Sequence, residues 1–212
     1  GSEWPLDRKF GVDVEDAVEL LLEAERKNLK PHGITFHVGS QCNNPATWVK
    51  AIEKSKIVWE LMNSKGIELK LINIGGGIPC EYTRHVPSIT ETIQTIMGSL
   101  KANFPKDIEV IAEPGRTLVG EAGILVTTVI GKATRARREW LYLDAGVFNG
   151  LMEAIGGIKY RFMASKNGVA KTWVLAGPSC DSMDIISNEV ELPQLDIGDR
   201  VYVMSAGAYT TA

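Results

Sequence analysis

Two hydrophobic patterns divide this chain. Up to about residue 119, helical periodicity alternates with short, continuous apolar runs. Asp13 predicts the N-cap of an amphipathic helix running to about Lys30. Gly33 then introduces a strand, Ile34 to Val38. A second helix, roughly Ala46 to Ser64, ends at Gly66, a residue suited to a C-cap. A second strand follows at Leu69 to Ile74, then a third helix from about Ser88 to Asn103, stopped by Pro105. The third strand is Ile108 to Ala112. Strands recur about every 37 residues, the arithmetic of a βα repeat with a parallel sheet and covering helices.

Beyond Gly120 the pattern changes. Ile124–Ile130, Trp140–Leu143, Thr172–Leu175 and Val201–Met204 read as strands separated by turn signals, with one short helix over Phe148 to Ile155. The turn Asp196-Ile197-Gly198-Asp199 precedes the last strand. This predicts a mostly antiparallel β-domain. The boundary falls near Val119: residues 1–119 form a partial (β/α) barrel, and residues 120–212 a β-domain incomplete at its C-terminus. A closed barrel needs eight parallel strands. Three are found, and three alone would leave an apolar edge. The expectation is therefore the C-terminal part of a (β/α)8 TIM barrel followed by a β-domain. The N-terminal barrel strands would be absent from this chain, which stops after Tyr209-Thr210-Thr211-Ala212 with no closing element.

Composition changes little. The 212 residues are 44% hydrophobic and 23% charged, enough for a sizeable core. A net charge of -3 gives no sign of nucleic acid or an anionic membrane as partner. Arg135, Arg137 and Arg138, between two strand-like runs, read as a solvated hairpin tip. No apolar run is long enough to span a bilayer, and no signal peptide is expected. Cys42, Cys80 and Cys180 are far apart, odd in number and without a CxxC pair. That argues against a disulfide framework or a zinc site, so no metal is expected and a reducing cytoplasm is the default.

The chemistry lies after the strands. His37, Gly39, Ser40 and Gln41 follow the first, Gly75-Gly76-Gly77 the second, and Glu113-Pro114-Gly115-Arg116 the third. In (β/α) barrels the chemistry sits at that end of the strands. Arg116 offers a planar fork suited to phosphate. Glu113 offers a fixed negative charge that can keep a ring nitrogen protonated. A phosphate and a protonatable ring together point to pyridoxal phosphate.

Each group also has a plainer reading. The triple glycine is a flexible turn or a phosphate loop. His37 is a structural histidine or a flat ring stacked on a planar cofactor, with Ser40 bonding its phosphate. His85, beside Arg84, is simply exposed. Cys180, in Gly177-Pro178-Ser179-Cys180-Asp181-Ser182-Met183-Asp184, is a small buried hydrophobe or a proton-donating thiol, with Asp181 binding a cation. Tyr209 is a packed aromatic or a phenol on phosphate.

Six stretches together resemble the fold-type III, pyridoxal-phosphate-dependent decarboxylases of basic amino acids, with the ornithine enzymes nearest in pattern. They are Phe36-His37-Val38-Gly39-Ser40-Gln41, Ile74 to Pro79, Ala112 to Arg116, Leu143 to Phe148, Gly177 to Asp184, and Gly207-Ala208-Tyr209-Thr210. The resemblance implies a homodimer with shared active sites, acting on a small amino acid. It implies that His37 stacks on the cofactor ring and that Glu113 pairs with the pyridine nitrogen. Ser40, Gly75, Gly76, Gly77, Gly115, Arg116 and Tyr209 would hold the phosphate. Cys180 and Asp181 would enter the partner's site, Cys180 to reprotonate the α-carbon and Asp181 to hold the distal amine. Glu153 is the carboxylate available for the family's second substrate acid. The family's Schiff-base lysine lies on an early barrel strand, and no lysine here matches its context.

The implied reaction is L-ornithine to putrescine and CO2, a step of polyamine biosynthesis, with L-lysine as second candidate substrate. Two other readings are open: a catalytically inactive, regulatory relative, and a diaminopimelate or arginine decarboxylase. Asp181 disfavours diaminopimelate, whose enzymes typically carry Cys-Glu there.

Overall fold

The computed structural model describes residues 2–4 and 9–210, the first three by backbone alone; Thr211 and Ala212, in the expectation for the chain's end, lie outside them. The chain forms two compact units, Gly1–Pro79 with Val86–Thr117, and Cys80–His85 with Leu118–Ala212.

The first unit contains β1 (Ser2–Trp4), α1 (Val14–Arg26), β2 (Gly33–Thr35), β3 (Ser40–Cys42), α2 (Ala46–Ser64), β4 (Leu71–Asn73), α3 (Ile89–Asn103) and β5 (Glu109–Ile111). Strands β2, β4 and β5 form a parallel sheet in that order, with Ile34 beside Ile72 and Ile72 beside Val110. These are successive βα units of a (β/α) barrel. β1 and β3 pair antiparallel.

Local signals fix the helix ends. α1 stops at Arg26 rather than Lys30 because Asn28 turns left-handed (φ 61°) and Leu29 N–H reaches back to Ala24 O at 2.9 Å. Asp13 has the extended backbone of an N-cap, but its side chain makes no cap bond. α2 starts under Asn44, whose Oδ1 accepts from Ala46 N at 3.0 Å. It closes at Gly66, which at φ 80° supplies the left-handed residue a β-carbon would disfavour. Ser88 caps α3 by accepting from Glu91 N at 3.1 Å, half of a Ser-x-x-Glu box.

The core lies between these helices and the sheet. Trp48, Ile52 and Met62 of α2, Ile72 of β4 and Ile96 of α3 are all fully buried. Trp59 meets Phe104 edge-on at 5.2 Å. Each such side chain contributes about 1.5–3 kcal/mol by leaving water. β5, at an edge of the sheet, leaves Val110 and Ile111 more than a third exposed.

A short α4 (Arg116–Val119) leads into the second unit, which carries β6 (Leu125–Arg135), β7 (Arg138–Leu143), β8 (Phe162–Ala164), β9 (Ala170–Ala176), β10 (Ile185–Pro193) and β11 (Arg200–Val203). They form one sheet in the order β10-β9-β7-β6-β11-β8, antiparallel except between β7 and β9. The end strands β10 and β8 approach each other, so the sheet is nearly closed. Leu141, Leu143, Leu175, Val201 and Val203 fill its interior. The arginine cluster forms the β6–β7 hairpin tip, with Ala136 and Arg137 both at positive φ.

Two features differ from the sequence reading. The helix expected over Phe148 to Ile155 is only a 3-10 turn, Met152–Ala154, between Gly150 and Gly156-Gly157. β1, β3, β8 and β10 were not expected. β10 is nine residues long, but register shifts at Ser187 break its period of two. No helix among the described residues is long and apolar enough to cross a membrane.

Candidate active site

Because β2, β4 and β5 run parallel, their C-terminal ends share one rim. Pairing continues there beyond the strands: Phe36 N to Asn73 O (3.1 Å), Ile74 N to Ile111 O (2.9 Å) and Glu113 N to Gly75 O (2.9 Å). These bonds bring the segments at His37, Gly75 and Glu113 side by side.

The glycine turn is pressed against both neighbours. A β-carbon at Gly75 would strike Phe36 O, and one at Gly77 would strike Gly39 O. Both residues also lie at positive φ, 63° and 95°. At Gly76 a β-carbon would sit 2.7 Å from Glu113 O and 3.2 Å from His37 Nε2. Only glycine lets three chain segments approach this closely. Cys42 N donates to Gly77 O at 2.9 Å, so β3, which begins at half-buried Ser40, is tied to the same turn.

His37 Nδ1 accepts from Gly39 N–H at 2.9 Å. A neutral ring therefore carries its proton on Nε2. Partial burial holds this imidazole below its ordinary pKa, and the negative charge of Glu113 pulls the other way. The ring is flat and oriented by its bond to Gly39.

Glu113 is itself anchored. Asn73 Nδ2 donates to Glu113 Oε1 at 2.6 Å, while Asn73 Oδ1 accepts from Gly75 N at 2.9 Å. Gly115 is exposed and Arg116, three residues beyond Glu113, is buried, 5% exposed, at the start of α4. Thus His37, Ser40, Gly75, Gly76, Gly77, Glu113, Gly115 and Arg116 all belong to the first unit, around its strand ends.

The remaining predicted site residues belong to the second unit. Cys180 and Asp181 sit on an exposed loop after β9, and Asp181 Oδ1 accepts from Met183 N at 2.8 Å. Cys180 is thus not the buried hydrophobe of the plainer reading. Glu153 lies half-buried in the 3-10 turn. Tyr209 is 55% exposed and held at φ 56°, a left-handed conformation that costs a non-glycine residue about 1–3 kcal/mol. Its turn is fixed by Ala206 N to Gly123 O (2.8 Å), Gly207 N to Gly120 O (2.9 Å) and Thr210 Oγ1 to Ala206 O (2.7 Å).

Two residues were missed in the sequence. Asn73 is a lone amide inside an apolar strand, a signal that was available. Asp184 closes the Cys180 loop and is buried, 3% exposed, though it is followed by Ile185-Ile186. A carboxylate leading an apolar pair was its only mark.

The rim offers a turn with no side chains, an anchored carboxylate and an oriented flat ring, and buried Arg116 follows three residues after that carboxylate. These residues fit pyridoxal phosphate: its phosphate suits the guanidinium and the glycine backbone, and its ring nitrogen suits the carboxylate.

Comparison with known proteins agrees. The family described as pyridoxal-dependent decarboxylase, pyridoxal binding domain, matches residues 3–120. A lysine/ornithine decarboxylase of Selenomonas ruminantium is 35% identical over 210 residues, covering 97% of this chain and 53% of that protein. The crystal structure of lysine/ornithine decarboxylase from Vibrio vulnificus, complexed with cadaverine, superposes with a TM-score of 0.91 at 36% identity, over 96% of this chain and 56% of that one. The arginine decarboxylase of Paramecium bursaria Chlorella virus, bound to agmatine, gives 0.90 at 30% identity, over 100% of this chain and 58% of that one. The chain spans about half the length of the curated relatives it matches. On the family match over residues 3–120 of 212, together with the strand-end site, this chain belongs to the pyridoxal-dependent decarboxylases.

Proposed function

We propose that the protein decarboxylates a basic amino acid with pyridoxal phosphate, that L-ornithine, giving putrescine, is its preferred substrate, and that L-lysine is its second. The observation that carries this reading is the joining of Glu113, His37 and the triple glycine at one end of a parallel sheet, next to buried Arg116. The names of the relatives support decarboxylation of ornithine, lysine, arginine or diaminopimelate.

Arg116, Ser40, Tyr209, Gly115 and the backbone of Gly75–Gly77 bind the phosphate. His37 lies flat against the ring, and Glu113 holds a proton on the ring nitrogen. Pyridoxal phosphate, when bound, supplies an electron sink for the pair left on the α-carbon as CO2 departs. Cys180 Sγ then delivers a proton to that carbon. Asp181 faces the distal ammonium, with Glu153 as a second carboxylate. A carboxylate of this kind selects a cationic substrate end over a neutral one.

The exposed loop carrying Cys180 and Asp181 serves the active site of the partner in a homodimer. Met183 and Phe148, 57% and 53% exposed, are apolar surface suited to that contact. The free thiols of Cys42, Cys80 and Cys180 fit a reducing cytoplasm, where this reading places the enzyme.

The test is CO2 release by the full-length protein from L-ornithine, L-lysine, L-arginine and meso-diaminopimelate. Ornithine should give the highest kcat/KM and lysine the next. Release from none of the four would refute the activity and favour the inactive relative. A preference for arginine or diaminopimelate would correct the substrate.

A further inference from the structure

Residues 178–183, which include Cys180 and Asp181, are all exposed. Packing against a core cannot fix them. The loop is buried only at its ends, Gly177 and Asp184. Asp184 Oδ2 accepts from Ser179 N at 3.0 Å, one residue before Cys180. Its Oδ1 accepts from Val147 N at 2.8 Å, in the buried segment after β7. Its backbone closes the loop as well, through Gly177 N to Asp184 O (2.9 Å) and Asp184 N to Asp181 O (3.0 Å).

Space has been left for this carboxylate. A β-carbon at Gly146 would lie 2.7 Å from Asp184 Cγ, and one at Gly177 would collide with it too. Burying a carboxylate is costly, and here two backbone N–H groups from two different loops offset the cost. A hydrophobic residue would fill the space but leave both donors unpaired.

We infer that Asp184 is a positioning residue: its carboxylate locks the Cys180-Asp181 loop to the segment at Val147, and so sets where the Cys180 thiol and the Asp181 carboxylate are presented. The inference rests on the roles proposed above for Cys180 and Asp181.

The test uses the full-length, cofactor-bound protein and its Asp184→Asn variant, which keeps the size but turns an NH2 toward one of the two N–H donors. Gly146→Ala, whose methyl displaces the carboxylate, is a second variant should the first fold poorly. Three quantities are compared with wild type: amide exchange at Val147 and Ser179, the rate of Cys180 alkylation, and the ratio of amine formed to CO2 released. Cys180→Ala is measured alongside for the ratio. Exchange at the two amides should speed up about tenfold or more, as expected when a local hydrogen bond is lost. Alkylation should change with it, and the ratio should fall in the direction given by Cys180→Ala. Wild-type exchange and alkylation in both variants would overturn the inference, whatever Cys180→Ala does. A loosened loop with an unchanged ratio would overturn it as well. If Cys180→Ala itself left the ratio and rate untouched, the thiol's role would fail and the inference with it; the exchange data tell that failure from the first.

Discussion

The amide of Asn73 ties the carboxylate of Glu113 to the backbone of Gly75: Nδ2 donates to Glu113 Oε1 at 2.6 Å and Oδ1 accepts from Gly75 N at 2.9 Å. Gly75 N can only donate, so the amide oxygen must face it and the amide NH2 must face Glu113. One side chain at the end of β4 thereby sets both the acid and the glycine turn. Asn73→Ala should weaken pyridoxal phosphate binding about tenfold and lower stability by about 1–2 kcal/mol, the yield of two partly exposed hydrogen bonds. Cofactor titration and thermal unfolding measure the two effects. Unchanged affinity would show that Glu113 needs no anchor.

His37 titrates below the ordinary histidine value because burial disfavours its charged form, while Glu113 opposes that shift. Removing the opposing charge with Glu113→Gln should lower the midpoint further, as read by NMR of the imidazole. A rise would mean that the carboxylate does not act on this ring. The folded state binds fewer protons here than the unfolded chain does. The neutral ring's contribution to stability is therefore present above about pH 6.5 and is lost as pH falls toward the lowered midpoint.

Gly76→Ala places a methyl 2.7 Å from Glu113 O and 3.2 Å from His37 Nε2. Both strand ends must move apart to admit it. Cofactor affinity should fall by at least about tenfold while the far-ultraviolet circular dichroism stays that of the wild type, since the change touches a loop and not an element. A variant with normal affinity would remove the turn from the binding site.

Arg116→Lys tests whether the guanidinium fork matters or only its charge. Lysine cannot make a two-point contact with phosphate, and at a 5% exposed position it also leaves the space around the fork unfilled. Cofactor affinity should drop about tenfold or more, and should not recover at low salt, where a mere charge effect would strengthen. Recovery at low salt would contradict a two-point phosphate contact.

Much of this was readable in the chain because periodicity and punctuation coincide. Asp13, Gly66, Ser88 and Pro105 mark helix ends within a residue or two of where they fall. The apolar runs between them read as strands, although β5, at the edge of the sheet, leaves Val110 and Ile111 exposed. β10 stayed hidden because bulges at Ser187 and Val190 break its alternation. Phe148 to Ile155 misled because its spacing is helical, while Gly150 and Gly156-Gly157 leave room for only one 3-10 turn. Glu113 and Arg116 stand out because a Pro-Gly turn displays them. Asn73 and Asp184 do not, since their meaning lies in N–H groups supplied by Gly75, Val147 and Ser179, which no local pattern announces.

The most direct measurement is a crystal structure of the full-length protein with pyridoxal phosphate. The account requires the phosphate within hydrogen-bonding distance of Arg116 and the Gly75–Gly77 backbone, the ring against His37, and the ring nitrogen facing Glu113. A cofactor bound away from these strand ends, or turned so that Glu113 meets no ring nitrogen, would contradict it.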